Sequence, residues 1–460
     1  MSKAAAASNY EILSIIKGDK RVRLEGKTTS LDYYESVLSP NVTASLIFVD
    51  TGGSVAYKND YDKQERLGSV YNALPLTSGE KVEFKIRNDS SGTLDFERNP
   101  LIVNGASNLN QSSKDNVVLL SLLSQSSITN QNSVVYKKYN GNIGNTVGNI
   151  IKEYFGTEQN KVRIDDTSND YSFTGNSQSP FELIMWLAAK SVPSEGNAGF
   201  FFYETRTGFN FRSIDSLISQ EPIATYYRTD GFAANVDNSG NDFKILSFSI
   251  SKNKNFLNAL KIGVLNSRNI YFNPKTFEEV EKPFEFTELV KSLGKDAEEP
   301  EVDTDISSGK FTRTHFDILD IGTHSPEIAG SDNNDPISWQ AQSTMRYNIL
   351  FSQVLNMQVP CNINLKAGDT INCNFEIVTQ SSKEQGSDDP VQSGKYLIVD
   401  LCHHLSSKGC FTKMNLSRDS LGRTAELRRL LSPLEQEIEK QTGDKAGKIP
   451  GSNNFDFTTM

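Results

Sequence analysis

One short pattern occurs twice in this chain, and an internal duplication restricts the available folds more than any other feature of the sequence. The pattern Leu-x-x-Gly-acid-x-aliphatic-x-apolar runs over Leu76–Phe84 and again over Leu365–Cys373. In both halves an apolar run, a Ser-Ser-Lys loop and a second apolar run follow: Leu101–Val103, Ser112–Lys114 and Val117–Leu122, then Tyr396–Val399, Ser406–Lys408 and Phe411–Leu416. Apolar alternation between Gly and Ser punctuation is typical of half-buried antiparallel strands. Each copy is predicted to hold two strands joined by a Gly-centred turn, within one small β-barrel.

The duplication has a consequence when chains associate. A cyclic trimer of a chain with two similar barrels presents six barrels around its axis. Such a ring has threefold symmetry and can still match a sixfold partner, a geometry that suits an adaptor.

Length and composition bound the class of protein. A chain of 460 residues is too long for one core and predicts three or four domains. The hydrophobic fraction of 37% is low for a compact enzyme and suits many short strands and long loops. A formal net charge of −10 excludes a nucleic-acid binder that works by neutralising phosphates, although an acidic surface lets nucleic acid pass without adhering.

The cysteines and the N-terminus predict a chain that is made in a cytoplasm and stays soluble. Met1 is followed by a short run of small residues rather than an apolar leader, and the longest apolar run is too short to span a membrane, so no stable membrane insertion is expected. All four cysteines lie within or beside the second copy of the pattern: Cys361, Cys373, Cys402 and Cys410. In a chain that is not exported they are predicted to be reduced and mostly buried.

The fold class predicted is mainly β, with an α+β module and a C-terminal helix. The domains expected are an N-terminal arm with the first barrel (1–126), the α+β module (127–222), the start of a discontinuous second barrel (223–265), a polar insertion (266–346), the rest of that barrel (347–420), and the C-terminal helix with a flexible tail (421–460).

Changes in periodicity mark the helices. Apolar residues at helical spacing predict a helix over Asn145–Phe155, and Ser179-Pro180-Phe181-Glu182 predicts a capped helix start before a deeply buried apolar segment that contains Trp186. Strands Gly199–Tyr203 and Phe209–Arg212 are expected to pair as a hairpin. The C-terminal helix rests on a three- and four-residue apolar spacing, at Leu427, Leu430, Leu431, Leu434 and Ile438.

The only cluster of metal-type side chains is Cys402-His403-His404 with Cys410. Consecutive residues on a strand point to opposite faces, so the side chains do not converge as zinc ligands without help from elsewhere. Barrel packing is the prediction, with metal binding as the alternative.

Other candidate groups favour structural roles over chemical ones. Solvated carboxylates, helix capping and core packing are the ordinary readings of these groups, against acid–base, calcium, phosphate or ligand binding. The groups are Asp165-Asp166, Asp388-Asp389, His315, His324, the Gly-rich Gly141–Gly148 and the aromatic Phe200–Tyr203. We therefore predict no catalytic, cofactor-binding or metal-binding residue, and no enzyme.

Three stretches of the chain resemble the baseplate central hub proteins of contractile-tailed phages of the T-even type. They are Tyr34–Pro40 with Leu46–Asp50; Pro180–Leu183, Leu187–Lys190, Gly199–Tyr203, Phe209–Phe211 and Gln220–Pro222; and Leu365–Gly368, Tyr396–Asp400, His404–Ser406 and Thr412. The insertion 266–346 has no counterpart residue by residue.

The resemblance implies a homotrimeric ring with two homologous tube-type antiparallel barrels per subunit. Such a hub adapts the sixfold tail tube to the threefold cell-puncturing spike, forms part of the DNA channel and has no enzymatic activity. Its expected partners are the spike, tail tube or tube-initiator proteins, and tape-measure and baseplate wedge proteins. The expected location is the virion baseplate, after assembly in the host cytoplasm.

Three alternatives stay open at the level of sequence. The first is a hub or spike component of a contractile secretion system or bacteriocin particle, although no repeat able to form a needle follows Leu431. The second is a tail-associated cell-wall hydrolase, which peptidoglycan turnover would reveal. The third is an unrelated β-rich adhesin, which would bind surface sugars as an isolated protein.

Overall fold

The structure is a computed structural model, and it describes residues 4–53, 55–58, 65–88, 92–111, 115–156, 161–228, 240–252, 261, 266–274, 276–285, 311, 313–319, 339–351, 353–376, 389 and 392–418. The described part is mainly β, as the sequence predicts. None of its helices is both long and apolar enough to cross a membrane.

The described residues form strands and helices with the following bounds, in chain order. The first strands are β1 (Asn9–Lys17), β2 (Lys20–Arg23), β3 (Thr28–Ser36), β4 (Thr43–Thr51), β5 (Val55–Lys58), β6 (Glu65–Gly68), β7 (Lys81–Asn88), β8 (Gly92–Asp95), β9 (Leu101–Gln111) and β10 (Asp115–Leu123). The middle strands are β11 (Lys138–Tyr139), β12 (Val162–Ile164), β13 (Phe173–Thr174), β14 (Phe200–Thr205) and β15 (Gly208–Ser213). The last strands are β16 (Thr225–Arg228), β17 (Ser247–Lys252), β18 (Asn266–Asn273), β19 (Glu278–Glu285), β20 (Arg313–Ile318), β21 (Gln353–Pro360), β22 (Thr370–Phe375), β23 (Gly394–Ser406) and β24 (Phe411–Ser417). The helices are α1 (Val70–Ala73), α2 (Gln125–Gln131), α3 (Ile143–Phe155), α4 (Pro180–Lys190), α5 (Ile214–Ser219) and α6 (Gln340–Leu350).

Two groups of six strands share one strand order. The first sheet unit runs β3-β4-β10-β9-β7-β1, and the second sheet unit runs β17-β21-β24-β23-β22-β16. When the two strand orders are aligned, β3 corresponds to β17, β4 to β21, β10 to β24, β9 to β23 and β7 to β22. The units differ at one end, where β1 is antiparallel to β7 whereas β16 is parallel to β22.

The equivalence extends to single hydrogen bonds. The Gly79 N–H donates to the carbonyl of Val103 at 2.8 Å, and the Gly368 N–H donates to the carbonyl of Ile398 at 2.9 Å. Both glycines have positive φ, +90° and +85°. In each unit the strand pairing shifts immediately after the residue that accepts this bond, between Val103 and Gly105 and between Ile398 and Asp400. A bulge at the same place in both copies is a feature of the repeated unit.

The sequence predicts one strand before and one strand after each of these glycines, and the prediction is wrong for the strand before the glycine. The strands β7 and β22 begin after the glycine, while Thr77 and Lys366 lie outside any strand or helix. Glu80 and Asp369, which follow the glycines, accept hydrogen bonds from the N–H groups of Thr77 and Lys366 at 2.8 and 2.9 Å. A side chain that takes up the backbone donor in this way favours a turn over an extended strand.

Each unit curls around its own core. The first core takes Leu13 of β1 and Leu31 of β3, at opposite ends of the strand order, together with Leu46 of β4 and Phe84 of β7. The second core takes Tyr226 of β16 together with residues of β21 to β24. Among the described strands no backbone pairing closes either unit into a barrel.

The α+β module has the local structure that its sequence predicts. The Ser179 N–H donates to the Glu182 carboxylate at 3.1 Å and caps α4. Strands β14 and β15 pair as a hairpin, and β12 adds in parallel. The helix α4 is less buried than expected, because Met185 is exposed and Trp186 is only half-buried.

The region between the two parts of the second unit contains a separate sheet of β18, β19 and β20. Helix α6 packs on the α+β module: Arg346 pairs with Asp215, and the Tyr347 hydroxyl bonds the backbone of Phe200. The predicted C-terminal helix lies outside the described residues.

Candidate interface between the two sheet units

The two sheet units are joined by direct strand pairing within the chain. The first half of β23 pairs with β22, and from Asp400 to Ser406 the same edge of β23 pairs antiparallel with β3. The opposite edge of β23 pairs with β24. The sheet therefore continues from the second unit into the first without a gap.

Inward-facing side chains of this junction are fully buried. Leu405 and Cys410 of the second unit belong to the core of the first unit. His403 is buried between the units, with its ring stacked on that of Tyr33 at 6.1 Å between centroids. Its ring nitrogens contact the Thr412 hydroxyl at 3.0 Å and the Leu365 carbonyl at 3.3 Å. Burial lowers the pKa of His403 to about 4, so the ring is neutral at neutral pH.

A buried carboxylate connects three parts of the fold. Glu35 of β3 accepts hydrogen bonds from the Tyr33 hydroxyl at 2.7 Å, the Arg206 N–H at 2.7 Å and the Ala367 N–H at 3.0 Å. Arg206 lies in the turn between β14 and β15, and Ala367 precedes the glycine of the second repeat. Burial raises the pKa of Glu35 above its ordinary value, and the hydrogen bonds oppose that rise.

A second, partly buried carboxylate and a close glycine contact hold the module in place. Glu204 of β14 accepts from the Val42 N–H at 3.2 Å and from the Ser126 hydroxyl at 2.8 Å. Burial raises the pKa of Glu204 as well. The hydroxyl of Tyr203 lies against Gly368, where an added Cβ would be only 2.1 Å away.

The outward face of the junction is polar. The His404 ring contacts the Asp32 carboxylate at 2.5 Å, and the Ser36 hydroxyl bonds Asp400. His403 and His404 thus point to opposite faces, as strand alternation predicts. In the described residues no group of three or more His, Cys, Asp or Glu side chains is placed to hold a metal ion.

The other candidate groups have structural partners where they are described. Asp165 accepts from the Ser213 N–H at 3.0 Å and lies beside Arg212, and Asp389 accepts from the Gln392 N–H at 3.1 Å. The Gly-rich segment begins α3, where the Asn142 side chain accepts from the Asn145 N–H. Phe200 and Phe202 lie in the core of the module. Asp388 and His324 fall outside the described residues, and His315 lies on β20.

Sequence reasoning missed the three acceptor roles that hold the junction and the first unit together, those of Glu35, Glu204 and Asp50. Asp50 accepts from the Val70 N–H at 2.6 Å at the start of α1. A signal existed for Glu35 and for Asp50: by strand alternation, Glu35 shares the inward face of β3 with Tyr33, and Asp50 shares that of β4 with Phe48. A charged residue on an apolar face indicates a buried polar contact.

Comparison with known proteins identifies the fold. No protein-family profile matches the chain, and no curated protein matches its sequence. A tail protein from Neisseria meningitidis is similar in structure, with 12% identity, 90% of this chain and 98% of that chain covered, and a TM-score of 0.50. The 43 kDa tail protein of prophage MuSo2 from Shewanella oneidensis has 9% identity, coverages of 90% and 100%, and a TM-score of 0.48. An E. coli component of the type VI secretion system, described as similar to T4 bacteriophage tail proteins, has 10% identity, coverages of 90% and 78%, and a TM-score of 0.43. The chain thus shares the fold of the Neisseria tail protein over nearly the full length of both.

Proposed function

We propose that the chain is a structural hub of a contractile phage tail baseplate, and that three copies form a ring. The observation that carries the proposal is the pairing of β3 with β23 between two units of the same strand order. A unit that docks beside a near-copy of itself inside one chain has a contact that further copies can repeat. Repetition of one head-to-tail contact produces a ring when the rotation closes.

The likeness to the Neisseria tail protein supports a tail role. Its coverage of both chains leaves little of this chain for an added functional domain. In the ring, each curled sheet unit is one tube-type barrel. Three chains place six such units on the side of the tail tube, while the threefold axis meets the cell-puncturing spike on the other side.

The charge of the chain fits a channel. Three copies carry three times the net charge of −10. An acidic bore repels the phosphates of DNA, so DNA passes through without adhering. The partners proposed are the spike, tube or tube-initiator proteins, and tape-measure and wedge proteins, with the baseplate of the virion as the location.

The proposed role needs no turnover. The carboxylates and histidines of the junction accept or share hydrogen bonds within the protein, which is what a rigid connector requires. The inward-facing Glu35, Glu204 and His403 bring the α+β module and both units together.

The proposal is tested by the native mass of the purified chain, alone and with a candidate spike protein. The expected masses are three times 51.1 kDa for the chain alone, and a complex of three chains with one trimeric spike. A stable monomer under both conditions contradicts the proposal. Turnover of peptidoglycan that is lost in Asp165→Ala or His404→Ala would support the hydrolase alternative instead.

A further inference from the structure

The separate sheet of β18, β19 and β20 turns a largely polar side to the rest of the protein and an apolar side to the solvent. Strand alternation gives each strand two sets of side chains, one on each face of the sheet. On one face Ser267, Asn269 and Tyr271 of β18 are buried. On the other face Phe316 and Ile318 of β20 are 60% and 67% exposed. This is the reverse of the usual arrangement, in which a sheet covers its apolar side.

The register of this sheet places the exposed apolar side chains next to one another. Ile270 is opposite Phe316, and Phe272 is opposite Ile318. Phe277, in the turn between β18 and β19, is 79% exposed, and its ring contacts that of Phe272 edge-on at 6.1 Å between centroids. These five residues form the outer apolar face. A continuous exposed apolar surface of this kind marks a place where another element docks.

Helix α6 holds the opposite, inner face of the same sheet. The Gln340 side chain donates to the Asp317 carboxylate of β20 at 2.7 Å, and the neighbouring Trp339 is buried. Asp317 lies between Phe316 and Ile318 in sequence, so its side chain is on the other face of the strand. The outer apolar face therefore points away from α6.

The described residues stop at Arg418, beside the end of α6 that is farther from this sheet. The Ser417 hydroxyl bonds the carbonyl of Leu350, the last residue of α6. A helix rises 1.5 Å per residue, so Leu350 is about 15 Å along the axis from Gln340. Residues 419–426 span up to about 26 Å when extended. Because β20 is an edge strand, this length takes the chain around it to the outer apolar face.

The sequence after residue 426 supplies a second apolar surface that needs a partner. Apolar residues at helical spacing give one stripe on a helix: Leu427, Leu430, Leu431, Leu434 and Ile438. A helix of this length is marginal in water unless its apolar side packs against another element. The stripe and the outer apolar face therefore each lack what the other provides.

Charge favours the same match. Glu279 and Glu281 of β19 share the outer side of the sheet with Phe272 and Ile270, which they oppose. Arg268 pairs with Glu281 and leaves this margin with a net negative charge. In the C-terminal segment, residues 423–431 carry three arginines and one glutamate. The first half of the apolar stripe is therefore accompanied by basic side chains.

Two other segments lie closer to this sheet in sequence, and their charge argues against them. Residues 286–310 contain seven acidic and three basic residues, and residues 320–338 contain four acidic and no Lys or Arg residues. Like charges beside Glu279 and Glu281 repel one another. The C-terminal segment is the better match on charge and on apolar spacing.

We infer that residues 427–438 pack as a helix on the outer apolar face of the same chain, with their basic first half towards β19. The packing makes this region a helix layer on a sheet layer, an arrangement in which both apolar surfaces are covered. It does not depend on the ring or on any tail partner.

Hydrogen exchange of the full chain, measured by mass spectrometry at low and high protein concentration, tests the packing. Phe316→Lys with Ile318→Lys places two charges on the outer apolar face and leaves the buried face unchanged. Leu109→Lys is the matched control, since Leu109 on β9 is similarly exposed, at 55%. From the other side, Leu430→Asp with Leu434→Asp interrupts the apolar stripe.

Gln436→Asp is the control for the stripe, because position 436 is on the opposite side of a helix from Leu434. In the wild-type chain, peptides that cover 427–438 should exchange slowly. Either double variant should speed their exchange by about tenfold or more, while both controls leave it unchanged. Unchanged exchange of β3 and β23 shows that the rest of the fold is intact.

Fast exchange of 427–438 in the wild-type chain overturns the inference. Slow exchange that Phe316→Lys with Ile318→Lys leaves unchanged overturns the assigned face. If those two changes instead release 286–310 or 320–338, that segment is the occupant and the inference is wrong. Protection of 427–438 that appears only at high protein concentration identifies a second copy as the occupant and overturns packing within the chain.

Discussion

The two equivalent glycines offer a matched pair of perturbations inside one molecule. Gly79 and Gly368 have nearly the same φ, but an added Cβ meets nothing within 4 Å at Gly79 and lies 2.1 Å from the Tyr203 hydroxyl at Gly368. A change to Ala at either position costs about 1–2 kcal/mol for the positive φ. At Gly368 the collision with a buried ring adds about 1–3 kcal/mol of overpacking. We therefore expect Gly368→Ala to destabilise the chain by about 2–5 kcal/mol.

The assay is urea unfolding followed by the fluorescence of Trp186 and Trp339. The Gly368→Ala variant should unfold at lower urea than Gly79→Ala, and adding Tyr203→Phe should recover part of the difference, because it removes the nearest colliding atom. Recovery marks the collision as the cause, since the cost of the positive φ is unaffected by Tyr203. Equal losses at both glycines, with no effect of Tyr203→Phe, would refute the contact between the module and the second repeat.

Three further expectations concern buried charge. Burial raises the pKa of Glu35, so its contribution to the free energy of unfolding is complete below the ordinary pKa of 4.5 and is lost as pH rises through the raised value. The Glu35→Gln variant should flatten that part of the dependence of the urea midpoint on pH. An unchanged slope would contradict the burial of this carboxyl group. His403, whose pKa is lowered to about 4, should stay neutral by side-chain NMR at pH 5.5 in the folded chain. Its contribution to the free energy of unfolding should be lost as pH falls from 6.5 towards 4. Titration near pH 6.5 would contradict its burial. Arg346→Met leaves the partly buried Asp215 carboxylate without its fully buried partner and should cost about 1–3 kcal/mol in urea unfolding, because Asp215 keeps its hydrogen bonds from Asn197; no measurable loss would show that the pair does not stabilise the packing of α6.

Local signals in the sequence predicted local structure well. The Ser179 to Glu182 cap, the β14–β15 hairpin and the alternation of His403 and His404 depend on residues close together in the chain, and each is confirmed. The repeated pattern around Gly79 and Gly368 identified equivalent positions in the two units, because the same turn needs a positive φ and an acidic acceptor beside it. Only its interpretation as two strands was wrong.

Contacts between distant segments were beyond the sequence. The pairing of β3 with β23 joins residues more than 360 positions apart, and no periodicity specifies which edge meets which. The same holds for Glu35, which accepts hydrogen bonds from the distant N–H groups of Arg206 and Ala367. The alternation of β3 indicates that Glu35 faces inwards, but the donors that make its burial tolerable are known only from the fold.

The central claim is that one contact between sheet units is used twice per chain, once within it and once between copies. Electron microscopy of the purified chain, viewed down the ring axis, tests it most directly through the rotational symmetry of the particle. The claim predicts a threefold ring in which six similar densities lie at nearly equal angular spacing. Isolated single copies, or a ring whose two units per chain lie at different radii, would contradict it.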